Sequence, residues 1–124
     1  MIKKIILSLL LLQSTAIFAK TVQLDELYQR YSEADYSSLE LAEYNTEVDF
    51  QAIVSALDEN IEGGVLLEVA GLKDPATALA RVVPVDTAAA QFSQLQEGQK
   101  VHLKCTVEMA SGSEYLSLGE CAVK

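Results

Sequence analysis

Cys105, Cys121 and His102 have the greatest chemical reach in this chain of 124 residues, being its only two cysteines and its only histidine. An even cysteine pair in an oxidising compartment reads as a disulfide. Closing a loop of about 15 residues would stabilise a fold by roughly 3 kcal/mol in the chain-entropy model. A metal site fails on ligand count, because two thiolates and one imidazole supply at most three soft donors and C-x15-C matches no zinc spacing. A Ser-His-Asp arrangement would have to use His102. That residue stands between Lys100 and Lys104 on the polar side of a strand pattern, no nucleophile motif surrounds any serine, and a solvated histidine is expected. The acidic run Asp58-Glu59-Asn60-Ile61-Glu62 lacks the spaced carboxylates of a calcium loop and reads as a solvated turn. These residues predict no catalytic group, no metal and no cofactor, hence a protein that is not an enzyme.

The elements that would carry these residues are legible from periodicity. Leu24, Leu27, Tyr28 and Tyr31 form one apolar helical stripe, with Thr21 available as N-cap. The phase continues through Ala34, Ser38 and Leu41, so a helical segment is expected over 22–44, continuous or broken at Asp35, Ser37 and Ser38. From Val48 the period becomes two, through Phe50, Ala52, Val54 and Ala56. Val65, Leu67 and Val69 carry a second strand, and Leu79 to Val85 a third, where Pro84 implies an edge or a bulge. Asp86 and Thr87 offer capping oxygens to a short helix from Ala88 to Gln96, with Gly98 placed to end it. In the fourth strand Val101, Leu103, Cys105, Val107 and Met109 face one way while Lys100, His102, Lys104, Thr106 and Glu108 face the other. In the fifth, Leu116 and Leu118 share a parity that Cys121 and Val123 break; a bulge at Gly119-Glu120 restores it and brings Cys121 near Cys105.

Before these elements stands MIKKIILSLLLLQSTAIFA, with Lys3 and Lys4 as a basic start, an apolar run and a small-residue exit at Ala19. This is the layout of a secretory signal peptide cleaved between Ala19 and Lys20, and its apolar run is too short to span a bilayer. No cysteine follows the cut, so an unlipidated periplasmic or secreted protein is expected, with a single domain over 20–124 and no transmembrane segment. The leader takes two of the nine basic residues and none of the eighteen acidic ones, so the net charge goes from −9 to −11. Such a surface repels phosphate backbones, favours basic partners and keeps an exported protein soluble.

Five short strands with a helix between the third and fourth is the layout of an OB-fold, a Greek-key barrel; a five-stranded α+β sheet is the alternative. The C-terminal third reads Leu95-x-x-Gly98-Gln99-Lys100-Val101-x-Leu103-x-Cys105, then Tyr115-Leu116-x-Leu118-x-x-Cys121-x-Val123. With Leu27 and Tyr44 in the leading segment, it resembles the exported tRNA_anti-like OB-fold family. The chain departs from that family in having Cys105 where a glycine is usual and Val83 or a neighbour where a cysteine is usual. The resemblance implies a fold and brings no functional residues with it.

OB-folds bind oligonucleotides on their second and third strands and the loops after the first and fourth. Single-strand binding needs aromatic platforms and a basic groove. The second and third strands here hold no aromatic residue and one cation, Arg81, while Asp58, Glu59 and Glu62 follow the first strand. The sequence therefore predicts an envelope binding module for a protein or glycan rather than a nucleic acid. Its expected surface comprises Asp58, Glu59, Glu62, Arg81, Ser111, Ser113 and Glu114. Alternatives are an acidic inhibitor or immunity-type protein that binds a basic enzyme and, on architecture alone, the B subunit of a secreted toxin. Tyr28 and Tyr31 are expected to pack on the barrel, and Tyr36, off their stripe, to be exposed.

Overall fold

The period-two segments form one sheet that curls back on itself. The computed structural model describes residues 19–124, so the leader expected over 1–19 lies, except for Ala19, outside the described residues. The strands are β1 (Lys20–Thr21), β2 (Glu47–Glu59), β3 (Val65–Ala70), β4 (Ala78–Pro84), β5 (Lys100–Val107) and β6 (Leu116–Val123). They join in the order β1-β2-β3-β4-β6-β5, and β5 pairs again with β2. β2 to β6 thus close a five-stranded barrel, mixed because β4 and β6 run parallel while the other barrel pairs are antiparallel. Strand order and helix placement are those of an OB-fold, as the layout predicts.

The thirteen-residue β2 makes closure possible. Its first half pairs with β5 and its second with β3, and the register slips between Val54 and Ala56, where the strand turns from one neighbour to the other. Alternation sends Val48, Phe50, Ala52 and Val54 inward to meet Leu67, Val69, Ala80, Val82, Leu103 and Leu118. β1 lies parallel against Val48 and Asp49 of β2.

Between β1 and β2 lies α1 (Leu24–Glu33), which buries Leu24, Leu27 and Tyr31, three members of the predicted stripe, while Tyr28 is half-buried. Thr21 is not its N-cap. Gln23 holds that position without a side-chain bond, because the Thr21 hydroxyl is drawn to the buried carboxylate of Asp49. The segment 22–44 is not one helix: Asp35 (φ 59°) and Tyr36 (φ 58°) turn left-handed, and only a 3-10 turn at Ser38–Glu40 follows. After β4, a 3-10 turn at Asp86–Ala88 leads into α2 (Ala89–Phe92), shorter than the predicted Ala88–Gln96. Asp86 and Thr87 do not cap it, since Val85 is the N-cap of the preceding turn and its carbonyl accepts the Ala88 N–H. Gly98 (φ 87°) turns the chain into β5 and donates its N–H to the Val54 carbonyl at 2.8 Å.

The bulge expected at Gly119-Glu120 is present, and of the edge or bulge expected at Pro84 it is the bulge that forms, since β4 is paired on both sides. The β4–β6 register shifts between Val82 and Pro84. In β6, Gly119 faces Thr106 and Ala122 faces Lys104, so three steps on β6 match two on β5. The extra residue is Glu120, at φ 51°. Beyond it Cys121 points into the core and bonds Cys105, with a Cα separation of 4.2 Å.

Candidate functional site

The strand registers fix where each expected surface residue lies. The β2–β3 turn starts beyond the Glu59–Val65 pair, beside the end of β4. The β5–β6 turn feeds Leu116, which pairs with Ala80 near the start of β4. The two turns therefore flank the outer face of β3 and β4 at opposite ends, with Arg81 between them. Asp58, Glu59 and Glu62 form one group; Arg81, Ser111, Ser113 and Glu114 are nearer the other turn, and no hydrogen bond or ion pair joins the groups among the described residues.

At the first turn the Asn60 side chain accepts the N–H of Glu62 and of Gly64, and the Asp58 carboxylate accepts the N–H of Glu59. Among the described residues none of the carboxylates of Asp58, Glu59 and Glu62 has a cation within ion-pair distance. Ile61 at the tip is fully exposed, and Leu57 beside it is 42 % exposed. At the other end, the Arg81 guanidinium lies 4.4 Å from the centre of the Tyr115 ring and 3.7 Å from Glu68. The second turn is tied down by α1: the Tyr31 hydroxyl donates to the carbonyls of Ser113 (2.6 Å) and Tyr115 (3.2 Å), and Tyr28 to that of Glu114 (2.7 Å). Burial raises the pKa of both phenols. Ser111 pairs as an isolated bridge with Ser37, and Tyr36 is 38 % exposed with its ring edge-on to Tyr31.

Two buried acids were not foreseen. Glu43, 1 % exposed, accepts both guanidinium nitrogens of Arg30 at 2.8 and 3.0 Å and the Lys20 ammonium at 2.9 Å. The Arg30 bonds, aided by Lys20, hold its carboxyl down at about 2 in spite of burial. Asp49, 5 % exposed on the outer side of β2, is met by His102 Nε2 at 3.1 Å, Lys124 at 3.4 Å and the Thr21 hydroxyl at 3.3 Å. The His102 bond, with Lys124 and Thr21, lowers its pKa against the opposing effect of burial. His102 is consequently half-buried and paired, not the freely solvated residue expected. The sequence holds only a faint sign of this cluster: Asp49 is an acid on the same polar strand face as Gln51, and its partners lie 28, 53 and 75 residues away.

Beside Asp49 a cavity of about 420 Å³ opens between β1, the first turn of α1, the outer face of β2 and β5, and the loop after β3. A second hollow, about 440 Å³ and more open, lies by Leu57, Asp58, Glu59, Val65 and Ser93. No group of three or more metal-ligating side chains is found among the described residues, and none of the described helices is long and apolar enough to cross a membrane.

No protein-family model matches the chain, so the tRNA_anti-like resemblance stands on the quoted residues alone. No curated relative matches either. Among solved structures, the chain is similar to a lipoprotein from Klebsiella pneumoniae subsp. pneumoniae MGH 78578 whose name provisionally assigns it nucleic-acid binding. The identity is 14 %, the TM-score 0.67, and the match covers 86 % of this chain and 92 % of that one. At that identity the likeness shows a shared OB-like barrel.

Proposed function

We propose that this chain is an exported, non-enzymatic OB-fold binding module of the bacterial envelope that recognises a protein of basic character. The observation that carries the reading is the β2–β3 turn, where fully exposed Ile61 shares one short segment with Asp58, Glu59 and Glu62, whose carboxylates have no cation within ion-pair distance among the described residues. An apolar tip on an uncompensated acidic turn suits a basic protein surface with an apolar pocket. Arg81, Tyr115 and exposed Val83 extend the surface along β4. An acidic inhibitor of a basic enzyme is the same surface in a narrower biological role. Export is supported by the leader and by the Cys105–Cys121 disulfide, which belongs to oxidising compartments.

The neighbour's name favours a second reading, nucleic-acid binding. Against it, Arg81 is the one cation on β3 and β4 and is shared between Glu68 and Tyr115. The test is affinity capture from envelope extract with the oxidised protein, a variant with Asp58, Glu59 and Glu62 changed to Lys, and Ile61→Ser. A basic protein retained by the parent and lost with both variants is expected, with an association rate that falls as salt rises because steering is screened over about 10 Å at 0.1 M. Capture indifferent to charge reversal points to a neutral glycan or another surface and overturns the proposal. So does micromolar binding of a single-stranded oligonucleotide at physiological salt.

A further inference from the structure

We infer that the cavity beside Asp49 is a separate binding site for a small organic monoanion, a carboxylate carrying a short apolar body. Its volume of about 420 Å³ falls in the range of small-molecule pockets. The site is remote from the acidic turn and does not depend on the function proposed for it.

The charges select the ligand. Asp49 and Asp25 are the acids of the wall, and Lys73, Lys124 and His102 its basic groups. Asp49 cannot serve an incoming cation, because one oxygen already meets Thr21 and His102 and the other Thr21 and Lys124. The carboxylate of Asp25 is packed against Gly71. Lys73 is different: among the described residues no carboxylate lies within ion-pair distance of it. Outside the cavity Lys20 and Arg30 are engaged by Glu43 and Arg81 by Glu68, while Lys100 and Lys104, which have no carboxylate partner among the described residues, do not line it. The cavity wall thus carries two acids and two lysines, with Lys124 and His102 committed to Asp49 and Lys73 as its one ammonium without a carboxylate partner among the described residues.

The apolar part follows from Leu72 and Val22. Leu72 is 45 % exposed next to Lys73, and Val22 is half-buried on the same wall. A carboxylate at Lys73 would lay a short hydrocarbon chain against these two side chains, gaining burial that inorganic phosphate cannot offer.

The test is a titration of the 15N-labelled, oxidised protein at neutral pH with butyrate, butylamine and inorganic phosphate in separate arms. Butyrate should give saturable shifts confined to Thr21, Leu72, Lys73, Lys124 and the His102 ring. Lys73→Gln should weaken it about tenfold and Leu72→Ser about threefold, both at exposed positions where the fold is not at risk. Butylamine should shift none of these signals saturably, and phosphate should bind several-fold more weakly than butyrate. Equal response to butylamine, phosphate as tight as butyrate, or unchanged butyrate binding in the Lys73→Gln protein would overturn the assignment.

Discussion

Replacing Glu43 by Gln removes the one charge that holds Lys20 and Arg30 together. Lowering this carboxyl from its ordinary 4.5 to about 2 corresponds to about 3 kcal/mol in favour of the ionised form. Arg30 and Lys20 are 45 % and 62 % exposed, so water screens their half of the interaction and both can swing outward when the charge goes. The net cost of Glu43→Gln is therefore about 2 kcal/mol, or a melting point lower by roughly 10 °C for a domain of this size. The sign of the pH dependence is set by the folded-state carboxyl being lowered. Its contribution is fully present above the ordinary value of 4.5 and drains away as pH falls toward 2. Urea unfolding of parent and variant, followed by far-UV circular dichroism from pH 7 to pH 2, measures this directly. The gap should be full at pH 7, shrink below pH 4.5 and be nearly closed at pH 2. Arg30→Gln should cost more than Lys20→Gln, because Arg30 grips both carboxylate oxygens. Equal stability at neutral pH, or a gap that persists at pH 2, would refute the reasoning.

Removing the buried Tyr31 hydroxyl in Tyr31→Phe leaves the Ser113 and Tyr115 carbonyls short of a donor and should cost about 1–1.5 kcal/mol in urea unfolding. Tyr28→Phe, whose single bond is exposed, should cost under about 0.5 kcal/mol by the same measurement, and a reversed order would contradict the packing described. Opening the Cys105–Cys121 bridge, which spans 16 residues, should cost about 3 kcal/mol when reduced and oxidised protein are compared in urea.

The barrel was legible wherever one face of a strand is buried. β5 alternates cleanly because its inner residues meet the core and its outer ones do not, and the broken parity after Leu118 located the bulge at Glu120. Helix starts were read less well. Thr21 has the right chemistry for a cap, but Asp49, 28 residues away, competes for its hydroxyl, and a local pattern contains no record of that competition. Glu43 and Asp49 were missed for the same reason: an acid is expected outside unless cations are brought to it, and Arg30, Lys124 and His102 arrive only through the folded chain. The turn after Tyr31 was visible as a cluster of helix-breaking residues, and its left-handed backbone settled where the helix stops.

The ties between the α1 arm and the β5–β6 turn also bear on how the chain folds. Tyr28, Tyr31 and Ser38 bond to backbone 86, 82 to 84, and 70 to 72 residues further on. Every such contact must close a long loop before it gives anything back, and chains with many distant contacts fold slowly. The arm emerges before the barrel strands in synthesis, yet its hydroxyls find their acceptors only after β5 and the turn that follows it have been made. Until then Leu24, Leu27 and the tyrosine rings have no barrel to cover. An arm that precedes the barrel in the chain thus waits for the barrel's last turn before these bonds can form.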